Sequence, residues 1–221
     1  MKKKYLPHII VASVFFTCFI IFSILVKNNV FDSIDKNVVD FVVSFRGEKY
    51  GAVYWIFRIL TELGFVYFMI FIFLLFFIFT KIDLKSLILS LGTLTTYLSN
   101  FIVKIIIKRP RPLEELRWMS EKSYSYPSSH TMCSTFMYGF LAYIIYKSNL
   151  KNKYKYPLMC LMIITIFVIG ISRIILSVHF FSDVLGGAIL GVVFVNLAII
   201  LDNYLTTRGV DGFRNLIIKK K

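Results

Sequence analysis

The chain has 221 residues, 57% of them hydrophobic and 17% charged, with a mean hydropathy of +0.74. This composition excludes intrinsic disorder, which requires low hydrophobicity, and three cysteines in so long a chain exclude a disulfide-stapled scaffold. It also excludes a soluble globule, because a fold of this size buries roughly 70% of its surface and so much apolar side chain would overflow the core. A membrane protein remains, yet the formal net charge is +14, from 26 Lys and Arg against 12 Asp and Glu.

A bilayer core of about 30 Å takes about 20 mostly apolar residues per helix. Six runs meet this need: Ile9–Val26, Trp55–Thr80, Leu84–Ile107, the shorter Ser128–Tyr146, Pro157–Ile175 and Phe180–Leu205. No small-x-small cleavage site precedes Lys27, so the first run reads as an anchor and not as a removable leader. Backbone polar groups in lipid must pair within their own segment, so the runs are helices. No repeat or low-complexity linker divides the chain. The predicted fold is all-α: a single domain over residues 1–221, a polytopic six-transmembrane-helix bundle with an amphipathic helix in the first outer loop. That helix is read from Phe31, Ile34, Val38, Val39, Val42 and Val43 at helical spacing, with Asp32, Asp35, Lys36 and Asp40 between them.

Orientation follows from the basic residues. With Lys2–Lys4 and the tail from Arg208 to Lys221 cytoplasmic, the inner segments hold 14 Lys and Arg against three acids. The outer half holds 12 against nine, so most of the excess positive charge lies inside. The outer half still carries an unusual cluster between the third and fourth runs: Lys104, Lys108, Arg109, Arg111, Arg117 and Lys122. Pro110 and Pro112 push the residues before them toward extended backbone, so the third helix is expected to end near Lys108.

Three groups of residues carry chemistry. Lys104, Arg109 and Arg111 lie at the end of the third run. Ser128, Ser129 and His130 follow Pro127 at the start of the fourth, where a helix N-terminus offers free N–H groups to an anion. Arg173, His179 and Asp183 link the fifth run to the sixth. His179 and Asp183 stand four residues apart and are expected to share one helix face, with the carboxylate fixing the imidazole tautomer. Alternating helix directions bring all three groups to the outer surface. Ionisable residues at a membrane face are costly and mark sites. Cations with helix N–H groups suit a phosphate-like anion, and two His with one Asp supply a nucleophile, a proton donor and an orienter. A non-haem metal centre is the competing chemistry; three neighbouring cations oppose it, so neither metal nor cofactor is expected. A lipid phosphate is the expected substrate, because its headgroup lies where the clusters lie. An anion transporter is a second reading, but it calls for broken helices near the midplane. His8 reads as interfacial, and Cys18, Cys133 and Cys160 as buried small hydrophobes.

Lys104-x6-Arg111-Pro112, Pro127-Ser128-Ser129-His130 and Ser172-Arg173-x5-His179-x3-Asp183 together resemble the three-part signature of the type 2 phosphatidic acid phosphatase superfamily. Thr61-Glu62-Leu63-Gly64 is similar to the second helix of bacterial members. The family often has Gly where this chain has Ser129, which matters only if that position needs a positive φ. The resemblance implies a metal-independent phosphatase in a bacterial plasma membrane with its site at the outer face. His179 would attack phosphorus and form a phosphohistidine, Asp183 would orient it, and His130 would protonate the leaving oxygen and then activate water. Lys104, Arg111, Arg173, Ser128 and the Ser129 backbone would hold the phosphoryl oxygens. Undecaprenyl diphosphate, phosphatidylglycerophosphate and phosphatidic acid are the substrates it suggests, with transfer to an acceptor other than water as a variant. The bilayer and its lipids are the expected partners, and nucleic acid is not.

Overall fold

The computed structural model describes residues 5–64, 71, 74 and 84–210. Expectations that fall on Lys2–Lys4, most of the Trp55–Thr80 run, Lys81, Asp83 and the basic tail beyond Val210 lie outside the described residues. Among the described residues there are seven α-helices, one 3₁₀ turn at Glu114–Leu116 and no strand. The helices are α1 (Leu6–Lys27), α2 (Asp32–Phe45), α3 (Ala52–Glu62), α4 (Leu84–Ile107), α5 (Ser129–Lys147), α6 (Asn152–Ile175) and α7 (Phe181–Thr207). Four of them, α1, α4, α6 and α7, are long and apolar enough to cross a membrane.

α5 is the enclosed helix, packed against α4, α6 and α7. Met132, Phe136 and Phe140 on it are fully buried, so these side chains meet protein on all sides. Small residues on α7 set how closely it approaches α5. A Cβ added at Gly187 would lie 2.7 Å from the Ser128 carbonyl oxygen, and one at Gly191 would lie 2.5 Å from Thr135 Cβ. Close backbone approach of this kind holds helices together where no aqueous hydrophobic force acts between them. α1 covers the other side of α7. Phe19 stacks on Tyr126 with centroids 6.1 Å apart, and Ser23 Oγ lies 2.9 Å from the Tyr126 hydroxyl.

The connections at the α4–α5 and α6–α7 end of the bundle depart from simple helix geometry in informative ways. α4 stops at Ile107, and Lys108 takes a left-handed φ of 54° while its N–H donates to the Lys104 carbonyl at 2.9 Å. Pro110 follows and prevents the helix from resuming, as expected. α6 and α7 are joined by the turn Leu176–Phe180, in which Ser177 has a φ of 50°. The Asp183 carboxylate accepts the Phe180 N–H at 2.8 Å, which caps and starts α7 at Phe181. His179 therefore stands ahead of the helix. It and Asp183 do not share a helix face as their spacing predicts; they meet across the cap.

α2 buries Asp35, Val39 and Val42, three residues on one face. Arg46, just beyond it, donates to the Ile175 carbonyl at 3.2 Å, Ser177 Oγ at 2.6 Å and the Leu116 carbonyl at 2.7 Å. It thereby ties the segment after α2 to the α6–α7 turn, and burial lowers its proton affinity. His8 Nδ1 lies 3.0 Å from Asn196 Oδ1 on α7. One minor expectation needs correction. Cys133 alone of the three cysteines is buried; Cys18 and Cys160 are exposed on the outside of the bundle. Helices apolar on every side do not reveal which face meets lipid.

Candidate active site

The turn before α7 brings the predicted groups around His179, which is 2% exposed. One ring nitrogen, Nδ1, lies 3.4 Å from Asp183 Oδ2 and 3.4 Å from Ser125 Oγ. The other, Nε2, lies 3.3 Å from Arg111 Nη1. Arginine can only donate, so Nε2 is the acceptor and the proton sits on Nδ1, toward the carboxylate; this tautomer is assigned from the hydrogen-bond network. An Nε2 lone pair is the arrangement a nucleophilic histidine needs. Burial, then Arg111, Lys104 and Arg173, hold the His179 pKa well below its ordinary 6.5, so the ring is neutral at neutral pH.

Asp183 is fully enclosed and fully engaged. Its Oδ2 accepts from the Phe180 N–H and, by a short contact, from Ser125 Oγ; its Oδ1 accepts from Arg109 Nη1 at 2.8 Å. The segment before α5 is laced to the same place, because the Ser128 N–H donates to the Asp183 carbonyl at 3.0 Å. Ser128 Oγ caps α5, accepting from the Thr131 N–H at 3.5 Å and the Thr131 hydroxyl at 3.1 Å. Ser129 is helical, without a positive φ, so the sequence departure at this position needs no glycine. Its hydroxyl donates to Asn100 Oδ1 at 2.5 Å, and Asn100 Nδ2 donates in turn to the Pro127 carbonyl at 3.1 Å. Ser129 and His130 occupy the first turn of α5, the turn whose N–H groups a helix leaves without intrahelical partners.

The cations approach from three elements. Lys104, in the last turn of α4, donates to the Ser125 carbonyl at 3.1 Å and makes a short contact to the Tyr124 carbonyl. Arg111 is held by the Ser123 carbonyl at 2.7 Å and the Val178 carbonyl at 2.6 Å. Burial lowers its pKa, with Glu121 and Asp183 opposing that shift. Arg173 is wholly buried; it donates to Thr61 Oγ1 at 3.0 Å and pairs closely with Glu121. Glu121 also lies 3.7 Å from Arg111. The acid thus stands between two of the three cations predicted to take a phosphate. A cavity of about 730 Å³ is lined among others by Lys104, Arg109, Arg111, Glu121 and Tyr124. Among the described residues no three His, Cys, Asp or Glu side chains gather as a metal site.

Sequence reasoning passed over several residues now seen at the site. Ser125, Asn100, Glu121 and Thr61 each bond a predicted site residue. Only Thr61 had a signal, through the Thr61-to-Gly64 resemblance. Gly64 closes against the site, since an added Cβ would lie 2.7 Å from Ile169 and 3.5 Å from His130. Arg109, which duplicates the Arg-Pro dipeptide, donates to Asp183, whereas Arg111 is the arginine in contact with Nε2.

Comparison with known proteins follows the same outline. The family model described as the PAP2 superfamily matches residues 85–206. Phosphatidylglycerophosphatase B of Bacillus subtilis (strain 168) is 37% identical over 98 residues, 44% of this chain and 48% of that protein, so the alignment spans about half the relative's length. The crystal structure of a transmembrane PAP2-type phosphatidylglycerolphosphate phosphatase from Bacillus subtilis superposes with a TM-score of 0.77 at 27% identity, covering 88% of this chain and 96% of that one. LpxE of Aquifex aeolicus shares the fold with a TM-score of 0.59 at 21% identity, over 72% and 93% of the two chains.

Proposed function

The chain belongs to the PAP2 superfamily, and from that premise we propose that it is an integral-membrane, metal-independent phosphatase acting on a lipid phosphate or diphosphate. The observation that carries the reading is His179, neutral, with Nε2 turned to Arg111 and Nδ1 turned to Asp183. In the first step the Nε2 lone pair attacks phosphorus and the bond to the leaving oxygen breaks. His130 gives that oxygen its proton, and the phosphoryl group rests on His179. In the second step His130 takes a proton from water, the water oxygen attacks phosphorus, and His179 leaves. Asp183 holds the ring and balances the positive charge it gains. Lys104, Arg111, Arg173, Ser128 and the first N–H groups of α5 stabilise the charge that grows on the phosphoryl oxygens, each key donor worth roughly 3–4 kcal/mol. Metal independence is supported by this ring of cations, which a bound cation would have to oppose.

The substrate is amphiphilic in this reading, which is supported by four helices long and apolar enough to cross a membrane, with the reactive residues at their ends. Phosphatidylglycerophosphate is the first candidate by the names of the relatives, with phosphatidic acid and undecaprenyl diphosphate beside it. The bundle spans a bacterial plasma membrane six times, with both termini inside, α2 at the outer interface and the site facing out. A Lys122→Cys variant should then react with an impermeant thiol reagent on intact cells; labelling only after permeabilisation would reverse the orientation. Purified protein with EDTA should release phosphate from at least one of the three lipids, and His179→Ala should not. Near-normal release by that variant would sink the mechanism.

A further inference from the structure

Arg109 and Asp35 form a second layer behind Asp183. Asp35, 1% exposed, comes from α2, about 150 residues away in sequence. It accepts from Arg109 Nη2 at 2.7 Å and from the Ser182 N–H at 2.9 Å, with a short contact from Ser182 Oγ. Arg109 Nη1 donates to Asp183 Oδ1 at 2.8 Å and to Ser182 Oγ at 2.6 Å. The guanidinium stacks over the Phe180 ring at 4.5 Å. A planar fork is thus spread between two buried carboxylates, a geometry that a lysine or a single hydrogen bond would not fix. We propose that Arg109 and Asp35 are positioning residues: they aim Asp183 at His179 Nδ1 and so keep the Nε2 lone pair toward the phosphate. Arg109 is accordingly not a phosphate ligand, although it sits two residues from Arg111 in the same Arg-Pro-Arg-Pro segment.

The inference rests on the phosphatase reading above and deepens it. Its physical basis is that a buried pair leaves each charge costly without the other. Asp35 also caps Ser182 in the first turn of α7, so a movement of α2 would reach Asp183 by two routes. The helix in the first outer loop is then part of the scaffold of the site and not only a membrane-surface element.

The chain has three histidines, so ¹⁵N-histidine NMR of the full-length protein in detergent resolves each ring, with His179→Gln identifying the signal that matters by its loss. In the wild type, His179 should show the neutral, Nδ1-protonated form. In Asp35→Asn and in Arg109→Gln its signal should move toward mixed tautomers. In the same variants kcat for phosphatidic acid in micelles should fall about ten- to a hundredfold, the usual cost of loosening a residue that positions a catalytic group. KM should stay within about threefold, whereas Arg111→Gln should raise it. Asp35→Asn is nearly isosteric and keeps the test open if Arg109→Gln folds poorly; rates are referred to folded protein from thermal melts. An unchanged His179 signal in Asp35→Asn overturns the proposal, as does a rise in KM for Arg109→Gln matching that of Arg111→Gln. A wild type inactive on every lipid phosphate would defeat the phosphatase reading instead, and the tautomer measurement would still decide the positioning role.

Discussion

The two sides of the His179 ring are built on opposite plans. On the Nδ1 side, Asp183, Ser125, Arg109, Ser182 and Asp35 form a closed network in which carboxylate and guanidinium face one another in a fixed fork. On the Nε2 side, Lys104, Arg111 and Arg173 are mainly braced by backbone carbonyls and by Glu121, and Lys104 and Arg111 line a cavity. Buried polar groups are worth most when every partner is satisfied, and the closed side has that character. The open side concentrates positive charge that an anion would neutralise. The contrast teaches that charge alone does not mark a ligand site: Arg109 and Arg111 carry the same charge two residues apart, yet Arg109 bonds two carboxylates and Arg111 meets Nε2.

The comparison breaks first at Asp183. Asp183→Asn keeps the shape but removes the carboxylate, and kcat should fall about 10⁴-fold, as when the orienting carboxylate of other catalytic triads is made neutral. Phosphate release under single-turnover conditions measures it; a loss under tenfold would show that the closed side does not govern the ring.

Arg111→Gln strikes the open side. It should lower kcat/KM about 10²–10³-fold, with part of the loss in KM. It should also move the pH profile. His179 must be neutral to attack, and its depressed pKa keeps it neutral as pH falls through 6.5. Removing Arg111 removes one cause of that depression, so the acid limb of kcat/KM should shift upward. Both proteins are assayed on one substrate, so its own titration cancels, and an acid limb that stays put would detach Arg111 from His179.

Gly187→Ala tests whether the two halves are held in register by the α5–α7 contact. The new Cβ would meet a backbone carbonyl and not a movable side chain, and overpacking of this kind costs typically 1–3 kcal/mol. Thermal unfolding in detergent should shift downward by several degrees, and activity should fall because Ser128 carries that carbonyl. The smallest effect is expected at Tyr126→Phe. It removes the buried contact to Ser23 at about 1 kcal/mol, lowering the melting point slightly and leaving kcat within about twofold. A large loss of activity there would draw α1 into the working part of the molecule.

The chemistry-bearing residues stood out in the sequence because reactive types at the ends of apolar runs are rare and costly. Lys104, Arg111, Arg173, His130, His179 and Asp183 could be listed from helix direction and spacing, and the structure gathers Arg111, His179 and Asp183 within direct contact. The end of α4 was legible for a local reason, since Pro110 forbids the helix from continuing. The shared helix face of His179 and Asp183 was misread. Spacing cannot tell a helix from the turn that precedes it, and the cap on Phe180 starts α7 two residues after His179.

Composition and hydropathy by themselves determined that this is an all-helical chain made for a bilayer, because apolar length and local backbone pairing leave no other structure there. Helix direction and residue type determined which end of the bundle holds the reactive groups. Only the tertiary structure decided which partner each charge meets. Asp35 looks like any solvated acid of a surface helix until α2 closes over Ser182, and Arg109 looks like Arg111 until the chain turns it toward two carboxylates. Those pairings join residues 74 and 147 apart in sequence, and no local pattern encodes a pairing at that distance.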